Sequence, residues 1–178
     1  SLSPEDKEWE ANRMAAFAAM VDRLDQEIGR LVDHIDSIGK LDNTLIMFIS
    51  DNGASPEGGE NGSINEYDFF NFLPESLEFN LSNLDVLGTT ETYNHYAWGW
   101  ANAGNTPFKR WKKETFRGGT SDPFVISWPA KIEADGQWRH QYGHAIDMVP
   151  TALDLIGIDP PALIKGVTQD PIEGVSLA

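Results

Sequence analysis

An α/β fold is predicted from three features of the chain: a 3.6-residue apolar repeat through its first forty residues, two short unalternated apolar runs, and turn chemistry bracketing each run. The repeat comprises Phe17, Met20, Val21, Leu24, Ile28, Leu31, Val32, Ile35 and Ile38. Ser3 fits an N-cap, Pro4 the first helical position, Glu5 and Asp6 the positive end of the dipole, and Gly39 the stop. About 35 residues is long for a globular helix, so a break near Asn12 is considered. The apolar stripe itself is read as core packing.

The first apolar run, Leu45 to Ile49, follows the turn Asp42-Asn43-Thr44 and ends at Ser50-Asp51-Asn52-Gly53. Without alternation it fits a strand buried on both faces, as in a parallel sheet covered by helices. From Ala54 to about Ala103, Gly, Asn, Ser and aromatics predominate without a period. That stretch is read as long irregular loops with a short helix near Tyr67 to Phe72. After a basic cluster, Gly118-Gly119 breaks the chain, and Phe124 to Trp128 forms the second buried strand between Pro123 and Pro129. A polar loop spans 132–142. A short helix opens at Asp147 and closes at Gly157, and the tail from Asp159 is read as extended.

At 178 residues, the length suits one ordinary domain. A hydrophobic content of 40% argues for a packed chain rather than a disordered one. No cysteine is present, which excludes disulfides, thiolate metal sites and a cysteine nucleophile. No apolar run reaches the roughly 20 residues of a membrane span, and the segment from Ser1 to Glu10 is polar and unlike a signal peptide. The net charge of −15 argues against nucleic acid as a partner, because such a surface repels phosphate backbones.

Charge is distributed unevenly. Ten carboxylates and no Lys or Arg lie between Lys40 and Lys109; then Lys109, Arg110, Lys112, Lys113 and Arg117 fall within nine residues. The cluster reads either as a solvated basic turn or as an anion-binding element, since sulfate or phosphate requires concentrated donors. Asp51 and Asn52, directly after the first strand, stand where ligands collect in open α/β sheets. Their hard oxygens suit Ca²⁺ or Mg²⁺, but Asp-Asn-Gly is also a favoured tight turn, and two ligands cannot complete a calcium shell. His144 and Asp147 have the spacing of a metal pair or of a helix cap. Lys109, Arg110 and Lys113 rank with Lys112 as anion contacts. His34, His95 and His140 have no evident partner.

In order and spacing these motifs are specific. Asp42-Asn43-Thr44, the apolar run, Ser50-Asp51-Asn52-Gly53, Asn105-Thr106-Pro107-Phe108 and Lys112 six residues before Gly118-Gly119 together resemble the formylglycine-dependent sulfatases, most closely their arylsulfatase branch. The likeness continues through Trp128-Pro129, Arg139-His140-Gln141, His144-Ala145-Ile146-Asp147 and Gly174-Val175-Ser176-Leu177, and so spans nearly the whole chain. It implies an alkaline-phosphatase-like α/β sheet covered by helices, with residues 1–178 forming the C-terminal part of a sulfatase catalytic domain. It further implies Asp51 and Asn52 as ligands of a Ca²⁺ cofactor, Lys112 as a contact to a sulfate ester, aryl or carbohydrate, and a periplasmic or secreted full-length enzyme. His144, Lys109 and Arg110 remain further candidates.

The chain departs from the family pattern in three places, the last of which, at Ser121, bears on subgroup rather than chemistry. The family's nucleophile is an aldehyde hydrate made within a Cys/Ser-x-Pro-x-Arg motif, and formylglycine is not encoded here. Ser121-Asp122-Pro123-Phe124-Val125 lacks the Arg, and Ser127-Trp128-Pro129-Ala130-Lys131 has Lys in its place. The isolated chain is therefore expected to be inactive, and its unpaired sheet edges to favour self-association. Arg117 stands where many members have Glu before Gly-Gly, and Ser121 where many have Arg. A related phosphoester or phosphonate hydrolase, and a non-catalytic binding domain that retains the fold, are the alternatives.

Overall fold

Most of the polar cap chemistry read from the first residues is realised. In the computed structural model, which describes residues 2–178, Ser3 and Asp6 form a reciprocal capping box in front of α1 (Pro4–Ser37). Ser1 lies outside the described residues. The helix is continuous through Asn12, so the break considered there does not occur; Asn12 instead donates its side-chain amide to the carbonyl of Glu8.

The chain forms two units, the first through Ala134 and the second from Asp135. In the first unit α1 is followed by β1 (Ile46–Ile49), α2 (Glu66–Phe70), α3 (Leu77–Ser82), α4 (Trp98–Asn105), the single turn α5 (Arg117–Thr120) and β2 (Phe124–Ser127). α2 lies where a short helix was expected. α3 and α4 fall within the stretch read as irregular, because each is only two turns or less and carries no apolar period long enough to detect. Gly118-Gly119 lies inside α5 rather than breaking the chain.

The α/β class holds, but the parallel pairing does not. β1 and β2 are antiparallel, with Ile46 opposite Ser127, Met47 opposite Ile126, Phe48 opposite Val125 and Ile49 opposite Phe124. An unalternated apolar run carries no information on strand direction. Nor are the strands buried on both faces: Phe48, Ile49, Phe124 and Val125 are all exposed, since two strands present too little surface to be sandwiched. Each strand has one ladder partner among the described residues.

The core of this unit lies at the N-terminal end of α1. Trp9 and Arg13 are buried there with Ile64, Ala97 and Ala101. Arg13 packs its guanidinium 4.6 Å from the centre of the Trp9 ring, donates to the carbonyl of His95 at 2.9 Å and pairs with Glu10. The indoles of Trp9 and Trp100 donate to the carbonyls of Asn61 and Glu10, and Phe17 meets Tyr96 edge to face. Farther along α1 the expectation of core packing is met only in part. Ile28, Val32 and Ile35 are half-buried, whereas Met20, Leu24 and Leu31 are 50–59% exposed, because the described residues offer α1 little apolar surface beyond its first turns.

In the second unit His144 and Asp147 cap the turn that leads into α6 (Met148–Ile156), and Gly157 ends that helix in the left-handed conformation. The buried hydroxyl of Thr151 donates to the carbonyl of Asp147 at 2.6 Å and accepts the amide of Leu177 at 3.0 Å. The tail is not simply extended: β3 (Leu163–Ile164) and β4 (Val167–Thr168) form a small antiparallel hairpin. Lys165 and Gly166, both at positive φ, supply the two-residue turn. Among the described residues, no helix is long and apolar enough to cross a membrane.

Candidate active site

The site is built on a backbone contact between two turns. Beyond β1, the amide of Ser50 donates to the carbonyl of Pro123 at 3.0 Å, so the β1–β2 ladder carries Asp51 and Asn52 outward from the strand end. Gly53 then packs directly on α5, where a Cβ on Gly53 would overlap the carbonyl of Gly118. Gly118 is equally confined, because a Cβ there would overlap the carbonyls of Lys109 and Arg110. Only glycine permits three backbone segments to approach this closely.

Hydrogen bonds fasten the same assembly. The amide of Lys112 donates to the carbonyl of Ala54 at 3.1 Å, and the amide of Gly118 to Lys109 at 2.9 Å. At the end of α4, the side chain of Asn105 accepts from the amide of Ala54 at 3.1 Å and donates to the carbonyl of Arg110 at 3.0 Å. Asn105 therefore joins the turn bearing Asp51-Asn52 to the basic cluster through both ends of one amide.

The structure brings Asp51, Asn52 and Lys112 into one neighbourhood. Asp51 is exposed, and neither its carboxylate nor Asn52 Oδ1 has a hydrogen-bond partner among the described residues. Asn52 spends its amide nitrogen on the carbonyl of Gly53 at 3.0 Å, which leaves the oxygen free. Burial, with the charge of Asp51 adding to it, pushes the carboxyl of Asp122 up. Two neighbouring carboxylates, with Lys112 as a nearby positive charge but no ion pair of their own among the described residues, are a donor set that a hard cation would relieve. Among the described residues, no group of three or more acidic or histidine side chains is positioned to hold a metal. Asp51 and Asn52 thus fit part of a calcium shell, with the remainder to come from other oxygens.

Lys112 Nζ lies 2.8 Å from Glu57 Oε2, and Lys113 Nζ 2.7 Å from Glu57 Oε1. These hydrogen bonds, that from Lys112 foremost, hold the Glu57 carboxyl down at about 2, and Glu57 in turn raises Lys112. Glu57 uses one of the three donors of the Lys112 ammonium and leaves two. The other cations are placed differently. Lys109 is exposed and contributes its backbone carbonyl, while Arg110 lies 5.9 Å from the ring centres of both Trp111 and Phe116. Arg117 sits 4.4 Å over Phe108 and donates to Ser121 Oγ, so these two departures from the family pattern touch one another. His144 belongs to the second unit, where Nδ1 accepts from the amide of Ile146 and caps the turn.

Sequence reasoning missed Glu57, since a lone carboxylate in an aperiodic loop has no local signal. It also missed the His95–Glu66 pair, 3.1 Å apart, which only the bridge between Ser63 and His95 creates. A third feature without a sequence signal is a cleft of about 390 Å³ beside Glu57, walled by Phe69, Trp98 and Trp111. The two indoles are stacked with centres 5.9 Å apart, and Trp98 Nε1 donates to the carbonyl of Pro56 at 2.9 Å.

The α/β fold thus sets a hard-oxygen pair at a strand end beside a lysine in a basic turn. The sulfatase family model matches residues 2–158, and the chain belongs to the sulfatase family. It is 31% identical to an arylsulfatase of Klebsiella aerogenes, with all of the chain matched to 37% of that protein. It is 33% identical to an uncharacterised sulfatase of Schizosaccharomyces pombe, over 90% of the chain and 28% of the relative. The N-acetylgalactosamine-6-sulfatase of Rattus norvegicus is 28% identical over 82% of the chain and 20% of its own length. The chain therefore spans well under half the length of these relatives.

Two outcomes test this geometry. Gly53→Ala is expected to cost about 1–3 kcal/mol or more in thermal unfolding, because the new methyl group meets backbone that cannot move aside. A melting temperature equal to that of the parent would refute the close contact. Glu57 has a folded-state pKa below its ordinary 4.5, so its contribution is complete above that value and is lost as pH falls from 4.5 towards about 2. Thermal unfolding followed from pH 7 to pH 2 should therefore fall less steeply below pH 4.5 in Glu57→Gln than in the parent; equal slopes would overturn the assignment.

Proposed function

We propose that this chain supplies one wall of a sulfate-ester hydrolase site, in which Asp51 and Asn52 hold Ca²⁺ and Lys112 binds the sulfate group. The observation that carries this reading is the packing of Gly53 against Gly118, which fixes a hard-oxygen pair beside an ammonium group in an otherwise acidic chain. Calcium, when bound, supplies positive charge that offsets the approaching sulfate and polarises its oxygens. The two Lys112 donors left free by Glu57 point to what that ammonium does: it stabilises negative charge developing on a sulfate oxygen as the ester bond breaks. Glu57 holds the ammonium in place and keeps it protonated.

The aldehyde-hydrate nucleophile implied by the family resemblance has no counterpart among these 178 residues. On this reading the catalytic act belongs to a longer protein, of which residues 1–178 form the C-terminal part of the catalytic domain. The matched relatives, among them an arylsulfatase and an N-acetylgalactosamine-6-sulfatase, support sulfate monoesters as the substrate class.

The test has two arms. The 178-residue chain is expected to show no turnover of 4-nitrophenyl sulfate with or without Ca²⁺, and substantial hydrolysis would overturn the division of labour. In an active longer enzyme, Asp51→Ala and Lys112→Ala are each expected to lower kcat by about 10²–10³-fold, the scale of removing one charge-stabilising group. Activity retained within a factor of two would refute the role of the residue concerned.

A further inference from the structure

We infer, independently of the sulfate-ester reading above, that a second and smaller cavity holds a small monovalent cation, an alkali ion or ammonium, between the start of α1 and α3. The cavity measures about 100 Å³, room for an ion with a few waters but not for a larger organic ligand. Asp6, Trp9 and Glu10 of α1 line it, together with Asn80 of α3 and Glu75 just before that helix.

Two oxygens on its wall lack a partner. Asn80 is 3% exposed, and neither its Oδ1 nor the buried Oε2 of Glu10 has a hydrogen-bond partner among the described residues. Buried oxygens left unmade are costly, most of all on a charged group. The other carboxylates on the wall are already engaged. Asp6 Oδ2 accepts from the amide and the hydroxyl of Ser3, while the two oxygens of Glu75 accept from the amides of Ile64 at 2.7 Å and Asn65 at 3.0 Å. Asp6 and Glu75 therefore contribute charge, and Glu10 and Asn80 contribute open ligand positions.

Charge favours a cation over water. Three carboxylates line the cavity, and Arg13, paired with Glu10 and near Glu75, opposes them. Burial pushes the Glu10 carboxyl up in spite of Arg13, and the charge of Asp6 adds to it. Water could donate to both open oxygens but would leave that charge in place; a cation answers both needs. Valence follows from the ligands. Calcium gathers about six to eight oxygens, several of them carboxylate. Among the described residues, no three acidic or histidine side chains are positioned to hold a metal. A single carboxylate oxygen and an amide oxygen, with waters completing the shell, suit a singly charged ion. An ion held there ties α1 to α3 beside the buried Trp9 and Arg13.

The experiment melts the whole chain in the chlorides of sodium, potassium, ammonium and N-methylglucamine at one ionic strength, so that screening is common to all. N-methylglucamine is the cation too bulky for the cavity. A small cation is expected to raise the melting temperature saturably over it, by about 2–4 °C. The half-saturation concentrations in sodium, potassium and ammonium identify the ion. In the parent chain, the NMR signal of the Trp9 indole N–H, on the cavity wall, should shift with the same midpoint. Glu10→Gln removes the charge and is expected to abolish both responses. Asn80→Asp adds a carboxylate oxygen at unchanged size and should lower the half-saturation concentration about fivefold. Each variant is judged by its response to cation, so a general loss of stability does not imitate the result. Should Glu10→Gln not fold, Asn80→Asp and the parent's Trp9 signal keep the test intact. Equal melting in all four chlorides with an unmoved Trp9 signal would overturn the inference and leave the cavity to water. A response that survives Glu10→Gln at an unchanged midpoint would do the same, because the ion then binds elsewhere. Stabilisation by CaCl₂ that Glu10→Gln removes, with none from the monovalent salts, would overturn the valence.

Discussion

The contact of Gly53 with Gly118 is the constraint on which the candidate site depends. It lets the turn after β1 lie against α5 with no side chain between them, and that approach brings the oxygens of Asp51 and Asn52 to the basic cluster. Asn105 then bonds both sides with a single amide. Side-chain ion pairs of ordinary reach would hold such a site loosely; backbone in contact with backbone holds it to within fractions of an ångström. The glycines that read from the sequence as turn formers and chain breakers are thus surfaces of closest approach.

Charge is arranged with comparable economy. A chain with a formal charge of −15 would oppose the approach of any anion. The five clustered cations reverse that field locally, but they are not interchangeable. Arg117 is turned onto Phe108, Arg110 towards Trp111 and Phe116, and Lys113 is tied to Glu57 with Lys112. What distinguishes Lys112 is its place: it is the cation whose backbone is hydrogen-bonded to the Asp51-Asn52 turn, through Ala54. Glu57, which holds Lys112, also lines the aromatic cleft with Trp98 and Trp111.

Stability is concentrated elsewhere. Trp9 and Arg13 anchor the start of α1 against the segments around Ser63 and Ala97, far along the chain from the basic turn. The rest of α1 exposes much of the apolar stripe, as the β1–β2 pair exposes Phe48 and Val125. Exposed apolar stripes of this kind suit packing against further protein, and the matched relatives are roughly three to four times as long as this chain.

The sequence by itself determined the elements whose signals are local. The N-cap at Ser3, the 3.6-residue stripe, the strand cores at Ile46–Ile49 and Phe124–Ser127 and the Asp147–Gly157 helix were all legible, because caps, periods and breakers act over a few residues. The motif order also identified the family, while the roles of Asp51, Asn52 and Lys112 belong to the proposed function. Tertiary structure alone decided the rest. Strand direction was invisible because an apolar run carries no polarity. The burial of α1 was misjudged in part because a stripe specifies which face seeks a partner, not whether one is present. Glu57, Asn105 and the Trp98–Trp111 stack were not legible because each acts on residues from five to fifty-five positions away. Contacts at that separation exist only once the chain has folded, and there the anion site and its adjoining cleft take shape.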